Sequence, residues 1–353
     1  MKRITSYLCL VLLLAIFASC GRGGKSIITP ISSGRPYEVL VVADDAYWLE
    51  NDSALFKVLD TDVPGLPQAE RSFRISRILP AHFDRVMRIF RNIIYVDIQD
   101  IYTQGKFKYT RDAYASPQMI MTIQAPDVKT FSEFVSKNGQ VIIDFFTRAE
   151  MNRQINLLRD KHSPLVSAKA GSLFDCDIWM PTEMNSYKEG KDFLWASNNM
   201  NDMNFVMYSY PFRDNKTFTK EFFIHKRDSV MKANIPGSEE GMYMETADSM
   251  LVDVRNIAVK GDYAFEARGL WEMHNDAMGG PFVSHVRVDR ANARVIVVEG
   301  FVYKPEKLKR DLMRKLNAAL YTLKMPAEKE VEEIPVDNSI DEEKIQKESE
   351  NNK

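Results

Sequence analysis

The chain has 353 residues, 45% of them hydrophobic and 27% charged, with a formal net charge of −2. That is a globular composition, long enough for one large or two medium domains. Its three cysteines, Cys9, Cys20 and Cys176, exclude a disulfide framework.

The first element is Met1 to Cys20. Lys2 and Arg3 precede an apolar run from Tyr7 to Phe17, closed by Ala18-Ser19-Cys20. A bilayer-crossing helix needs ~20 apolar residues, so this shorter run predicts a secretory signal peptide over 1–19. Phe17-Ala18-Ser19-Cys20 also resembles the bacterial lipoprotein signal, in which the cysteine is lipidated and becomes the first residue. The resemblance implies lipid attachment at Cys20 and a membrane anchor. Cys176 would then be the sole mature thiol, so no intramolecular disulfide can form. Residues 20–36, rich in Gly and Ser, read as a flexible tether.

The body divides by pattern into an N-terminal α+β module over 37–170 and a C-terminal one over 171–325. In the first, Tyr37–Ala43 reads as a buried strand ending at Asp44-Asp45, and Ser72–Leu79 as a second, stopped by Pro80. Phe83, Val86, Met87 and Phe90 recur at helical spacing, predicting a helix over His82–Arg91. Strands follow at Ile93–Ile101 and Met119–Gln124. Asp127 caps a helix ending at Asn138-Gly139, and a long helix runs from about Val141 to Lys161.

In the second module, Phe174-Asp175-Cys176-Asp177-Ile178 alternates, placing Cys176 inward on a strand over Leu173–Met180. A helix is expected over Tyr187–Ala196, a strand over Phe205–Tyr210 and a helix over Thr217–Lys232. The helical period then vanishes. Met242–Thr246, Leu251–Val259, Tyr263–Trp271, Phe282–Asp289 and Arg294–Tyr303 all read as strands. Pro305 begins a closing helix to Lys324 with a leucine stripe at 308, 312, 316, 320 and 323, and its basic residues, Arg314 among them, read as a solvated face. The fold class is α+β, with mixed or antiparallel sheets and helices packed on one face. Two related ferredoxin-like modules are one arrangement that the repeated strand–Pro–helix–Asn–strand order allows. Residues 326–353 hold ten acids and four bases and read as a disordered acidic tail.

Arg268-Gly-Leu-Trp271, Gly279-Gly-Pro-Phe282, Arg294 to Tyr303 and Lys309-Arg310-Asp311, in that order behind a lipoprotein signal, resemble a family of uncharacterised cell-envelope lipoproteins of the Bacteroidota. The resemblance implies an envelope location and supplies no catalytic residue. Residues 21–25 lack the acidic cluster of surface-exported lipoproteins of that phylum. The expected place is therefore the outer membrane facing the periplasm, with inner-membrane anchoring left open.

Few residues suggest chemistry. Asp44 and Asp45 stand at a strand end, where α/β proteins place acids, but no phosphate loop follows. Trp271-Glu272-Met273-His274-Asn275-Asp276 is the densest mixture of useful side chains, and His285 lies on a neighbouring hairpin. A strand running into the Gly279-Gly280-Pro281 turn explains the same residues. No His-Glu-x-x-His or Gly-x-Ser-x-Gly motif occurs. Eleven of eighteen methionines fall between Met180 and Met278, a spacing that suits core packing better than copper ligation.

Two readings follow. One is a non-catalytic binding or scaffolding component in envelope assembly or maintenance. It needs no metal or cofactor and binds no nucleic acid; its partner is an envelope protein or ligand, met on a surface near Trp271 and His285. The other is an envelope hydrolase or metal-dependent enzyme using Asp44/Asp45 or the Trp271–Asp276 segment, with Glu272 and His274 as acid and base.

Overall fold

The computed structural model describes residues 29–48, 53–328 and 334. The expected signal, Cys20 and most of the acidic tail lie outside the described residues. The fold is α+β, with six α-helices and thirteen strands among the described residues. None of these helices is long and apolar enough to cross a membrane.

The first sheet has five strands in the order β2-β1-β3-β5-β4. These are β1 (Glu38–Val42), β2 (Arg74–Ile78), β3 (Asn92–Ile98), β4 (Lys106–Arg111) and β5 (Met119–Ala125). β2, β1, β3 and β5 run parallel, and β4 returns antiparallel on β5. β1 is an interior strand buried on both faces, which is why Val39-Leu40-Val41-Val42 is continuously apolar. One face carries α1 (Ala54–Leu59), α2 (Val128–Lys137) and α3 (Gly139–Asp160). Asp127 caps α2 by accepting from the Thr130 amide at 2.8 Å, as its position predicts. Residues 30–33, expected in the tether, are instead bonded to this unit: Ser33 donates its amide to Ile89 and accepts from Arg91.

This is not the split ferredoxin-like order. The helix expected over His82–Arg91 resolves into two 3₁₀ turns, Pro80–His82 and Met87–Ile89. The Asp84 carboxylate draws the amides of Val86 and Met87 to itself at 2.9 and 3.0 Å, a local alternative to a continuous helix. The strand expected over Leu173–Met180 does not form. A helix, α4 (Pro164–Phe174), runs through its start and ends at Asp175 in the left-handed region (φ 50°). Cys176 is nonetheless buried, and burial pushes its thiol up to about 12, so it packs as an unreactive hydrophobe.

The second sheet has eight antiparallel strands, β10-β11-β12-β13-β8-β7-β6 with β9 beside β11. They are β6 (Met184–Gly190), β7 (Phe193–Asn198), β8 (Met203–Pro211), β9 (Met244–Thr246), β10 (Asp253–Val259), β11 (Asp262–Met273), β12 (Gly279–Asp289) and β13 (Arg294–Val302). β6 and β7 occupy the stretch expected as a helix over Tyr187–Ala196. A Lys191-Asp192 turn, with Asp192 at φ 53°, folds it into a hairpin. One face of the sheet packs α4 and α6 (Arg310–Leu320), the other α5 (Lys220–Asn234), so helices cover both faces, not the one expected. The two sheets share neither strand order nor direction, so the repeated sequence pattern does not correspond to repeated topology.

α3 belongs to both cores. Ile142, Phe145 and Phe146 in its first half pack on the first sheet, while Ile155 and Leu158 join the core of the second. A second tie is Glu70, whose carboxylate accepts from the amides of Lys309 and Arg310 at 2.8 and 3.0 Å. It caps α6 from the other half and explains why the helix starts at Arg310, five residues after Pro305.

Candidate functional site

Most of the second sheet's outer face is closed by α5. That helix ends at Asn234, and the chain turns away through Ile235-Pro236-Gly237. Beyond its end the sheet face continues uncovered, leaving a groove of about 400 Å³. Its floor is Trp195 of β7, Asn204 of β8, Trp271 and Met273 of β11 and Phe301 of β13. Its rim includes Tyr187 on β6, Ser238, Met278 and Tyr303. Trp271, Met273 and Phe301 share this face because side chains alternate along each strand and the register carries that alternation across β11, β12 and β13.

Both indole N–H groups are used internally. Trp195 donates to the Asn204 side-chain oxygen Oδ1 at 3.0 Å and Trp271 to the Val302 backbone carbonyl at 3.2 Å. With Trp271 nearly fully buried and packed as the floor, what the partly exposed Trp195 ring offers a ligand is therefore apolar surface. Thioethers of Met273 and Met278 extend it, and such side chains adapt to irregular ligands. An apolar concavity with a few fixed amides is the usual composition of a ligand site. Among the described residues β6 lies at the end of the sheet and pairs with β7 alone, and residues 185–189 are exposed. An open strand edge beside an apolar groove suits an extended peptide.

The structure sorts the sequence candidates. Trp271 is 2% exposed and helps form the groove floor. His285 does not reach it: fully buried on β12, it faces Glu266 at 3.3 Å and meets the Tyr321 ring edge-on. Asp44 and Asp45 are exposed after β1, and Asp45 pairs with Arg77. Glu272 is half-buried on β11, registered opposite Glu245 and Gly279. His274 bonds Glu245 at 2.9 Å and stacks on Tyr243 at 4.7 Å. The acids of the first sheet and the His274 segment belong to different sheets and share no bond. Among the described residues no group of three or more His, Cys, Asp or Glu side chains could hold a metal ion. Cys20 lies outside the described residues. Sequence reasoning missed Trp195 and Tyr187 because it read β6 and β7 as a helix, and Asn204 because it began the next strand at Phe205. The alternation Phe193, Trp195, Ser197 was the available signal.

The glycines of the motifs are explained by close approach. A Cβ on Gly280 would lie 2.0 Å from the Val302 carbonyl oxygen, and one on Gly279 would lie 2.9 Å from that of Trp271. A Cβ on Gly300 would meet Leu316 of α6 at 2.7 Å. These positions keep β12 against the Trp271 ring and α6 against the sheet.

On the opposite face, Glu266 is clamped by Arg268 at 2.8 and 3.1 Å and by Arg255 at 2.9 Å. Burial pushes this carboxyl up, but the arginines and His285 outweigh it and hold it well below the carboxylate range. Burial pushes His285 below its ordinary 6.5, partly opposed by Glu266. In both cases the unfolded chain binds more protons, so stability rises with pH and falls on acidification. Loss should begin as pH drops below 6.5 through His285, and deepen below the carboxylate's ordinary 4.5. His285→Gln should remove the first limb and keep the second. Melting temperatures of both proteins across this range check it, and superimposable profiles would contradict it.

The fold and groove define a class: an α+β protein of two joined sheets, the second carrying a ligand-sized apolar groove. Residues 163–322 match the family model "Domain of unknown function (DUF4837)", and residues 32–159 match "Domain of unknown function (DUF8532)". The chain is thus built from two regions that match families of unknown function. No curated protein shows significant similarity to it. Among solved structures, a mutant of the protein Mog1 is 8% identical, with 41% of this chain and 85% of that one covered at a TM-score of 0.27. A Bacteroides thetaiotaomicron VPI-5482 structure at 1.50 Å resolution is 14% identical, with 45% of this chain and 47% of that one covered at a TM-score of 0.24. The match therefore spans about half the length of that second protein.

Proposed function

We propose that this chain is a lipid-anchored envelope protein that faces the periplasm and binds, without catalysis, an extended apolar segment of an envelope partner in the groove. Its role is assembly or maintenance of the envelope. The observation that carries the binding reading is the groove itself, lined by two indoles with internally satisfied N–H groups beside an open strand edge. The anchor rests on Phe17-Ala18-Ser19-Cys20.

The test places a photo-crosslinking residue at Tyr187 or Ser238 in cells making the full chain. A discrete adduct is expected from both positions, reduced several-fold by Trp195→Ala. Absence of any discrete adduct, or adducts indifferent to Trp195, would sink the groove reading. Separately, Cys20→Ser should release the protein from membranes, and retention would refute the anchor.

A further inference from the structure

We propose that the cleft between the two halves holds a phosphate monoester, with Arg314 Nη1 donating to it and Asn317 Oδ1 accepting its remaining proton. The cleft has a volume of about 310 Å³ and lies between α3, β10, β11 and α6. It is separate from the aromatic groove and independent of that reading.

Arg314 and Asn317 stand three residues apart on α6, so their side chains share one face. They are 9% and 7% exposed, and both line the cleft. The sequence assigns Arg314 to a solvated basic face; the structure turns it inward, its guanidinium 3.7 Å above the Tyr37 ring of the other half. Among the described residues it has no carboxylate partner, and its Nη1 is buried without a hydrogen bond. Burial lowers it to about 10, which leaves it charged at neutral pH. Asn317 Oδ1 is likewise buried without a donor among the described residues.

Such orphans are rare and call for an occupant. One is a charged donor and the other an acceptor, so the occupant must be anionic and must also donate. Carboxylate and sulfate only accept near neutral pH, whereas a phosphate monoester, with its second pKa at about 6, carries both functions. The walls favour an anion too. Four arginines, Arg148, Arg255, Arg268 and Arg314, face the cleft against two acids, and Glu266 is already clamped by two of those arginines. Asp144 is the other acid, and Gln140 donates to it at 2.8 Å.

The experiment titrates the full chain near pH 6 with glycerol phosphate, inorganic phosphate and sulfate, and with phosphatidic acid vesicles. Glycerol phosphate should bind at least about tenfold tighter than sulfate, and Asn317→Asp and Arg314→Lys should each weaken it by about tenfold or more. Binding of the soluble phosphates assigns a soluble ligand. Binding of the vesicles alone assigns the same group on a lipid; either supports the site. Equal affinity for sulfate, no binding to any of the four, or full affinity in folded Asn317→Asp would overturn it. Should a variant lose its near-ultraviolet circular dichroism, the phosphate-to-sulfate ratio of the unaltered protein decides alone.

Discussion

Arg227→Met is expected to lower stability by about 3–5 kcal/mol. Arg227 lies on α5 with its side chain fully buried, and it meets a fully buried carboxylate, Glu299 of β13. Two parallel bonds join them, Nε to Oε2 at 2.9 Å and Nη2 to Oε1 at 2.8 Å. Ser284 donates to the same carboxylate at 2.5 Å, Nη1 donates to Thr246 at 3.0 Å, and the guanidinium lies 4.1 Å from the Phe282 ring centroid. Removing the arginine leaves a carboxylate in the core with no counter-charge. The double variant Arg227→Met/Glu299→Leu should recover much of the loss, since replacing a buried pair by apolar residues is often near neutral. Urea unfolding of the four proteins in the cycle measures it. A single variant as stable as the parent would refute the account.

Gly280→Ala is expected to cost about 2–3 kcal/mol. Its new methyl would sit 2.0 Å from a backbone oxygen and 3.1 Å from the Trp271 indole nitrogen. Neither strand can yield without loosening the Trp271–Val302 bond, so the groove floor should open and tryptophan emission shift to the red. Gly171→Ala is the control. It lies on the exposed face of α4 with nothing nearer than 3.9 Å, and should be neutral or gain up to about 1 kcal/mol. Equal responses at the two glycines would show that close approach is not what Gly280 serves.

Much of the fold is legible in the chain where one local rule operates. Asp127, the α3 run and the five strands after Met242 follow from capping and from periods of 3.6 and 2 residues, and all form within a few residues of expectation. The failures share a cause. In 82–91, 173–180 and 187–196, the choice was made by one side chain or turn inside the segment that the apolar spacing does not register. Asp84 captured two amides, Asp175 closed a helix, and Lys191-Asp192 turned a hairpin. The candidate site was legible at one residue, Trp271, because a tryptophan beside a Gly-Gly turn stands out. Its partners Trp195 and Asn204 come from strands far away in the chain, and register alone brings them together.

The sequence by itself determines the α+β class, the inward-facing Cys176 and the strand-rich second half, since these need only composition and local period. Tertiary structure alone decides that α3 serves two cores, that α5 stops short and exposes a groove, and that Arg314 faces inward. Those outcomes depend on where one surface ends against another, a relation between distant segments that no local spacing encodes.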